Sequence, residues 1–321
     1  MPIAEIDNAM PRGAAGSGPG AAGKAARRVA LVLNEQSGTL LGQPGLADAV
    51  RDSLRQPHID LCEPAGADLT GRLKAARGSG AAMIVVAGGD GTLACAAGML
   101  ENSSVVLGIV PAGTANLLAR DLGIPLSDPM HAVRIALTGQ PLPIDIGWAG
   151  GHPFLCAVML GSPARLGHHR EVGRRRGNGF AGWLHLACAF LRAARRHRAV
   201  TYRVTIDGVR HRLRAPSLTI ALNALDEPGG RMFGRARLDG GELHAYAVRH
   251  RSAFGWIRLA FSILRGNFRN DPAVTVLQGT AMSIDAPGGS LRALLDGEER
   301  VLLTPINLRI APRALTVMAP A

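Results

Sequence analysis

Four short apolar runs constrain the first half of this chain more tightly than any other feature: VALVLN (29–34), IDLCEP (59–64), AMIVVAG (82–88) and VVLGIVP (105–111). Three of them are almost unbroken Val, Ile, Leu and Ala, the pattern of strands buried on both faces rather than strands with one wet side. Between the runs lie stretches with helical character, ADAVRDSL (47–54) and DLTGRLKAAR (68–77), the second opened by Asp68 as a good N-cap. A further helix is predicted over 128–138, with Asp128 as cap and Pro129 at its first position. Strands that alternate with helices and are themselves nearly all apolar predict a parallel sheet with helices on its faces.

After Gly139 the texture changes. PLPIDIGWA and HPFLCAVML flank Gly150-Gly151, TYRVTI and VRHRLRA flank Asp207-Gly208, and LRALL and EERVLL flank Asp296-Gly297. Paired runs around such dipeptides predict antiparallel hairpins. The expected organisation is therefore a leader over 1–26, an α/β domain over 27–139, and a mainly β domain over 140–321. Helical stretches at about 180–197 and 252–265 interrupt the β domain, and residues 307–319 are candidates to pack back on the first domain. The leader is Ala, Gly and Pro with few large apolar side chains; such a composition buries too little to repay the entropy of ordering, so it is expected to be disordered.

Two of the predicted strands end in glycine-rich turns that lead into helices. Gly88-Gly89-Asp90-Gly91-Thr92 follows the third run, and Gly113-Thr114-Ala115-Asn116 follows the fourth. Strand, small-residue turn and helix direct backbone N–H groups and a helix N-terminus at one point, which suits a phosphate. The first turn holds more glycine than a tight turn needs, and absent Cβ atoms let a polyphosphate approach the backbone. The second reads equally well as a helix start, with Thr114 as N-cap, Asn116 in the first turn, and Arg120 and Asp121 exposed. Asn34-Glu35-Gln36-Ser37-Gly38, after the first run, is a third polar loop at the same predicted sheet edge, where open α/β sheets bind ligands. Neither a Walker A loop nor GxGxxG is present. Asp296-Gly297 reads as a type I′ hairpin turn; the functional alternative is that Asp296 and Glu298 present carboxylates to an acceptor hydroxyl.

These motifs, in order, resemble the diacylglycerol kinase catalytic-domain family, which includes bacterial lipid kinases and the sphingosine kinases. The resemblance rests on GGDGT (88–92), GTANLLARDLGIP (113–125), DIG (145–147) and DGE (296–298), and covers nearly all of residues 29–320. GGDGT is shared with NAD kinases; the GTxN…ARxLGIP stretch is similar to the lipid branch. The resemblance implies an NAD kinase/diacylglycerol kinase-like α/β domain followed by an antiparallel β-sandwich-like domain, with ATP in the cleft. It implies that Asn34, Ser37, Gly38, Gly88, Gly89, Asp90, Gly91, Thr92, Gly113, Thr114 and Asn116 hold ATP. It also implies that Asp296 is the general base with Glu298 supporting it, and that Asp90 and Asp145 lie near Mg²⁺.

Three departures stand out. Leu117 replaces the family's frequent Asp after GTxN, and NEQSG lacks the proline of NPxSG. LDGGELH (238–244) keeps Asp239 but has Gly240 and His244 where the family's LDDGxLD carries carboxylates of a second magnesium site. The expected activity is transfer of the γ-phosphoryl group of ATP to diacylglycerol or a similar lipid. The alternatives are a long-chain base or NAD as acceptor, or a catalytically degenerate ATP- or lipid-binding regulator.

The net charge of +12 points to anionic partners. Nine of the arginines and one acid, Glu171, lie between Arg165 and Arg198, a local excess of eight positive charges (9 − 1). With aromatic residues at only 4% and no helix-turn-helix or zinc-knuckle pattern, nucleic acid is disfavoured and an anionic membrane surface is the expected partner of that segment. Cys62, Cys95, Cys156 and Cys188 have no metal or disulfide spacing and are expected to be reduced. Without an apolar run of ~18 residues or a signal-peptide pattern, the expected location is cytoplasmic, with peripheral contact at the inner membrane face.

Overall fold

The computed structural model describes residues 26–43, 45–161, 199–225, 234–249 and 271–321, together with Gly255, Arg258, Ser262 and Arg269. The expected leader, Ala26 apart, and the whole of the basic segment 165–198, with its predicted helix at 180–197, lie outside the described residues.

Strands β1 (Arg27–Leu33), β2 (Ile59–Cys62), β3 (Met83–Gly88) and β4 (Val106–Pro111) form a parallel sheet in the order β2-β1-β3-β4. Alternate residues of these strands feed two separate cores. Ala30, Val32, Ile84 and Val86 pack against Leu73 and Ala76 of α3 (Leu69–Gly78) and Leu93, Ala96, Ala97 and Leu100 of α4 (Asp90–Leu100). Val29, Leu31, Met83 and Val85 pack on the opposite side against Val50 and Leu54 of α2 (Leu46–Leu54) and Val133 and Ala136 of α6 (Pro129–Thr138). Burial on both faces is why these strands show no polar alternation. The helix starts are as predicted: Asp68 accepts from Gly71 N at 2.6 Å and Asp128 from His131 N at 2.9 Å.

Twelve strands follow among the described residues: β5 (Gln140–Ala149), β6 (His152–Phe154), β7 (Ala157–Gly161), β8 (Val200–Ile206), β9 (Val209–Ala215), β10 (Ser217–Leu222), β11 (Leu243–Val248), β12 (Val274–Gly279), β13 (Ala281–Asp285), β14 (Ser290–Leu295), β15 (Glu298–Leu303) and β16 (Ile306–Ala319). Six of them make a second, antiparallel sheet in the order β12-β11-β10-β7-β14-β15. The others extend the first sheet: β4 is followed by β16, β13, β8 and β9, with β5 on β16 and β6 on β5. Phe154, Tyr202, Val204, Ile284 and Ile306 from this extension face Val158, Leu160, Leu218, Ile220 and Ala245 of the second sheet across a common core. The fold is thus mixed α/β, with a parallel N-terminal sheet and an antiparallel C-terminal one.

β16 joins the halves. It runs parallel to β4 through Val317 and Leu107, antiparallel to β5 along most of its length, and antiparallel to β13 from Ile306 to Arg309. A bulge between Ala311 and Leu315, with Arg313 at φ 49°, lets it turn from one set of partners to the other.

All three predicted turn dipeptides have positive φ at both residues, at Gly150-Gly151, Asp207-Gly208 and Asp296-Gly297. Gly255, Arg258 and Ser262 are helical, within the stretch predicted at 252–265. One expected strand is broken. HPFLCAVML does not continue through 152–160: β6 ends at Phe154 in one sheet and β7 begins at Ala157 in the other. The amides of Leu155, Cys156 and Ala157 are turned onto a carboxylate 140 residues away in sequence, described below. No helix among the described residues is long and apolar enough to cross a membrane.

Leu107 is fully buried beside the β4–β16 junction. Leu107→Ala should cost about 2–5 kcal/mol. In hydrogen exchange it should lower protection in β16 and β5 together with β3 and β4; a loss confined to β3 and β4 would show that the two halves open separately.

Candidate active site

The two glycine turns meet each other. A Cβ built on Gly113 would lie 2.5 Å from the Gly89 Cα, and one on Gly89 would lie 3.1 Å from the Gly113 Cα, so the turns approach backbone to backbone. On Gly88 a Cβ would lie 2.7 Å from the side chain of Thr92. At Gly91 it would overlap the carboxylate of Glu298, which reaches over from β15. Each absent Cβ therefore makes room for protein. Close approach of the turns concentrates their polar groups, and α4 starts there: Gly89 is its N-cap, and the first-turn amides of Asp90, Gly91 and Thr92 have no carbonyl partner within the helix.

Asn116 secures the second turn. Its Oδ1 accepts from Gly113 N at 2.8 Å and its Nδ2 donates to Gly113 O at 2.9 Å. It sits in the left-handed region at φ 48° as N-cap of α5 (Leu117–Asp121), with Leu117 as the first helical residue. This corrects the alternative start at Thr114, which is exposed in the turn two residues earlier. Asn116 wins because its amide closes a ring with Gly113 that a threonine hydroxyl cannot close.

The loop after β1 is tied to the same place. Asn34 Nδ2 donates to Thr92 Oγ1 at 2.8 Å, and Thr39 N donates to Ala112 O at 3.0 Å. Ser37 caps α1 (Gly38–Gly42) and is only 8% exposed, yet its Oγ has no hydrogen-bond partner. A buried hydroxyl without a partner costs free energy that a bound group could recover. The structure thus brings together Asn34, Ser37, Thr92, Gly113 and Asn116 at the edge of the parallel sheet.

Asp296 enters from the opposite sheet. It occupies the β14–β15 turn at φ 48°, followed by Gly297 at φ 91°, as a type I′ turn requires. Its side chain nevertheless points inward and is 4% exposed. Oδ2 accepts from Leu155 N at 2.6 Å; Oδ1 accepts from Cys156 N at 2.8 Å and Ala157 N at 2.9 Å. The hairpin reading of Asp296 holds, and its carboxylate is directed into the fold rather than to solvent. Burial pushes its pKa up, while those amides and the Arg235 charge oppose the shift by favouring the ionised form. Glu298 is half-exposed, with Arg300 Nη2 at 3.3 Å from Oε2.

Asp90 is differently supported. It is 8% exposed and opens α4, with Leu118 N donating to its Oδ1 at 3.4 Å. Burial, then the negative charge of Asp296, raise it from an ordinary 3.8 to about 6. Two carboxylates close enough to repel, one of them at a helix start, form a setting that a cation would relieve.

Asp145 is held elsewhere. Its Oδ2 accepts from Asn223 Nδ2 at 2.9 Å and Gly241 N at 2.8 Å, and its Oδ1 from Arg313 N at 2.7 Å. These bonds brace β5 against the β16 bulge and the lead-in to β11. In LDGGELH, Asp239 is paired with Arg313 Nη2 at 2.8 Å and with Arg237 at 3.3 Å, while His244 Nε2 lies 3.2 Å from Glu242. Guanidinium groups neutralise Asp239, and among the described residues no group of three or more His, Cys, Asp or Glu could hold a metal. The residues there do not fit a second magnesium.

One element of the site was not anticipated. Asp121 is not an exposed helix residue: its side chain is 6% exposed and pairs with Arg235, 1% exposed, at 2.7 Å. Helical position suggested exposure, and no sequence pattern links residues 114 apart. The two arginines of the short stretch FGRARLDGG, Arg235 and Arg237, give no sign of which residue each meets.

Comparison with known proteins agrees with this architecture. Residues 28–149 match the diacylglycerol kinase catalytic domain, and residues 157–319 match the YegS C-terminal NAD kinase beta sandwich-like domain. The chain is 27% identical over 273 residues to a diacylglycerol kinase of Mycobacterium tuberculosis, covering 83% of this chain and 87% of that one. It is 30% identical over 227 residues to a protein of Chromohalobacter salexigens named "probable lipid kinase YegS-like", covering 68% of this chain and 70% of that one. A crystal structure of a diacylglycerol kinase from Bacillus anthracis superposes with a TM-score of 0.66 at 19% identity, covering 91% of this chain and 97% of that one, and shares the fold. With both halves of the fold matched in order, the chain belongs to the diacylglycerol kinase catalytic-domain family.

Proposed function

We propose that this chain is an ATP-dependent lipid kinase that transfers the γ-phosphoryl group of Mg-ATP to a lipid hydroxyl, that of diacylglycerol or a similar lipid. The observation that carries the reading is the meeting of the two glycine turns, Gly89 against Gly113, at the start of α4, with Asn34 bonded to Thr92 and Glu298 reaching over Gly91 from the other sheet. Phosphoryl transfer depends on positioning and on charge neutralisation more than on covalent chemistry by the protein. In this reading the first-turn amides of α4, the Asn34–Gly38 loop and the Gly113–Asn116 turn hold the nucleotide. Asp90 is the carboxylate that would hold Mg²⁺, which when bound neutralises charge on the phosphates; Asp145, with its three donors, is the weaker candidate. Asp296 takes the proton of the acceptor hydroxyl, since Oδ2 accepts one protein bond and keeps a lone pair. Glu298 closes over Gly91.

Leu117, where the family often has Asp, favours a second reading: a binding protein that has lost its chemistry. A soluble acceptor such as NAD, or a long-chain base, is a third. The decisive experiment is transfer of labelled phosphate from Mg-ATP into lipids in mixed micelles. Asp296→Asn should lower turnover about a hundredfold or more while nucleotide affinity stays within a few-fold. Wild-type turnover in that variant would remove Asp296 as base; ATP binding without product from any acceptor would favour the degenerate reading.

Asp90 makes a stability prediction of opposite sign to the usual surface carboxylate. Its pKa in the fold, about 6, exceeds its ordinary 3.8, so its favourable contribution is present below about pH 4 and is lost as pH rises through 6. Asp90→Asn should therefore be more stable than wild type at pH 8 by about 2 kcal/mol, with the two converging near pH 4. Chemical denaturation at both pH values checks this, and the same variant should bind Mg-ATP more weakly. Equal stability at pH 8 would mean Asp90 is not a desolvated charge.

The basic segment Arg165–Arg198 supplies the membrane contact in this proposal. Replacing Arg174, Arg175 and Arg176 by Gln should weaken sedimentation with anionic vesicles by about tenfold or more, at ~1 kcal/mol per charge, and leave neutral vesicles unaffected. Unchanged sedimentation would assign the segment to another role.

A further inference from the structure

Arg235 uses every donor it has. Its Nε donates to Asp121 Oδ2 at 2.8 Å, and Nη2 lies 2.7 Å from that oxygen and 3.3 Å from Cys156 Sγ. Nη1 donates to Leu155 O at 2.6 Å and to Leu222 O at 3.1 Å, accounting with the others for all five guanidinium N–H groups. Its backbone N donates to Asp121 Oδ1 at 3.2 Å. So complete a set of bonds on a charge that is 1% exposed costs more to assemble than a hydrophobic contact, and it holds two particular segments in one geometry.

Those segments are the ones that carry the site. Leu155 gives its carbonyl to Arg235 and its amide to Asp296; Cys156 gives its sulfur to Arg235 and its amide to Asp296. On the other side, Asp121 ends α5, whose Leu118 amide donates to Asp90. A continuous path therefore runs from Asp296 through the 155–156 bend, Arg235, Asp121 and α5 to Asp90.

We propose that Arg235 is a positioning residue for catalysis: it fixes the bend that presents Asp296 and, through Asp121, sets that carboxylate against Asp90 and the nucleotide turns. It acts through the backbone of Leu155 and Cys156 and touches neither nucleotide nor acceptor. The charged and titratable groups around Asp296 in this arrangement are Arg235, Asp90, Asp121 and Cys156. Lysine cannot replace arginine here, because one ammonium cannot reach acceptors on Asp121, Leu155, Leu222 and Cys156 at once.

This inference rests on the reading of Asp296 as the base, and its test separates the two. Arg235→Met, Arg235→Lys and Asp121→Asn are compared with wild type in three measurements: steady-state kinetics with lipid in mixed micelles, affinity for Mg-ATP, and hydrogen exchange at the amides of 155–157. Arg235→Met should lose at least about tenfold in kcat, with KM for ATP and ATP affinity within about threefold, and should lose protection at 155–157 while β1 and β3 keep theirs. Arg235→Lys should be nearly as impaired. Asp121→Asn, which leaves the carbonyl bonds of Arg235 in place, should fall between it and wild type. A variant with lowered thermal stability but wild-type kcat and wild-type exchange at 155–157 would overturn the proposal. Should Arg235→Met not fold, the same readouts on Asp121→Asn decide it: unchanged kcat and unchanged exchange overturn it. Should wild type phosphorylate no acceptor, the proposed function falls, and exchange at 155–157 still decides whether Arg235 governs the presentation of Asp296.

Discussion

Everything in this molecule depends on a strand that is hydrogen-bonded to both halves. β16 is the last strand, yet it lies between β4 of the parallel sheet and β13 of the antiparallel extension, with β5 alongside for most of its length. The proposed site draws on both halves: the glycine turns follow β3 and β4, whereas Asp296 comes from β14–β15. An ordinary interdomain contact would leave the angle between the halves free to drift. A shared strand removes that freedom, and the bulge at Arg313 lets one strand serve both directions of pairing.

The parallel sheet was legible because its strands are buried on two faces. Ala30, Val32, Ile84 and Val86 look one way and Val29, Leu31, Met83 and Val85 the other, so every position had to be apolar. Caps at Asp68 and Asp128 and the I′ dipeptides at 207–208 and 296–297 were legible for a related reason: each is a local solution that few other residues provide. The glycines of the nucleotide turns were found for an incomplete reason. A loop that accommodates phosphate explains three small residues equally well, and sequence could not show that Gly89 and Gly113 are small because they touch each other.

What was not legible is non-local. The break at Leu155-Cys156 falls inside a run that reads as a good strand, and only the carboxylate of Asp296 explains why three consecutive amides leave the ladder. The same holds for Arg235 and Asp121, whose pairing spans helix α5 and a loop of the β half. Periodicity reports which face of an element is buried, and it is silent on a charge buried by a partner that arrives from another element. Both failures lie under the candidate site, where local preference yields to the arrangement the site needs.

The two carboxylates of that site differ in a way that bears on their roles. Asp296 is supplied from within the protein: three amides at 2.6–2.9 Å and the nearby Arg235 charge support its ionised form against burial. Asp90 accepts from backbone amides at the start of α5, Leu118 N at 3.4 Å among them, sits beside the negative charge of Asp296, and is pushed to about 6. Burial still leaves the pKa of Asp296 raised, so its amides and Arg235 offset only part of the desolvation; what they fix is the direction in which the carboxylate points. A desolvated carboxylate beside another gains from any cation that reaches it, and part of the gain is relief of repulsion from its neighbour. For Asp90 the repulsion from Asp296 adds to the cost of burial, whereas for Asp296 the Arg235 charge opposes it. If the site takes Mg-ATP as proposed, part of the binding energy comes from relieving the burial and mutual repulsion of these two carboxylates.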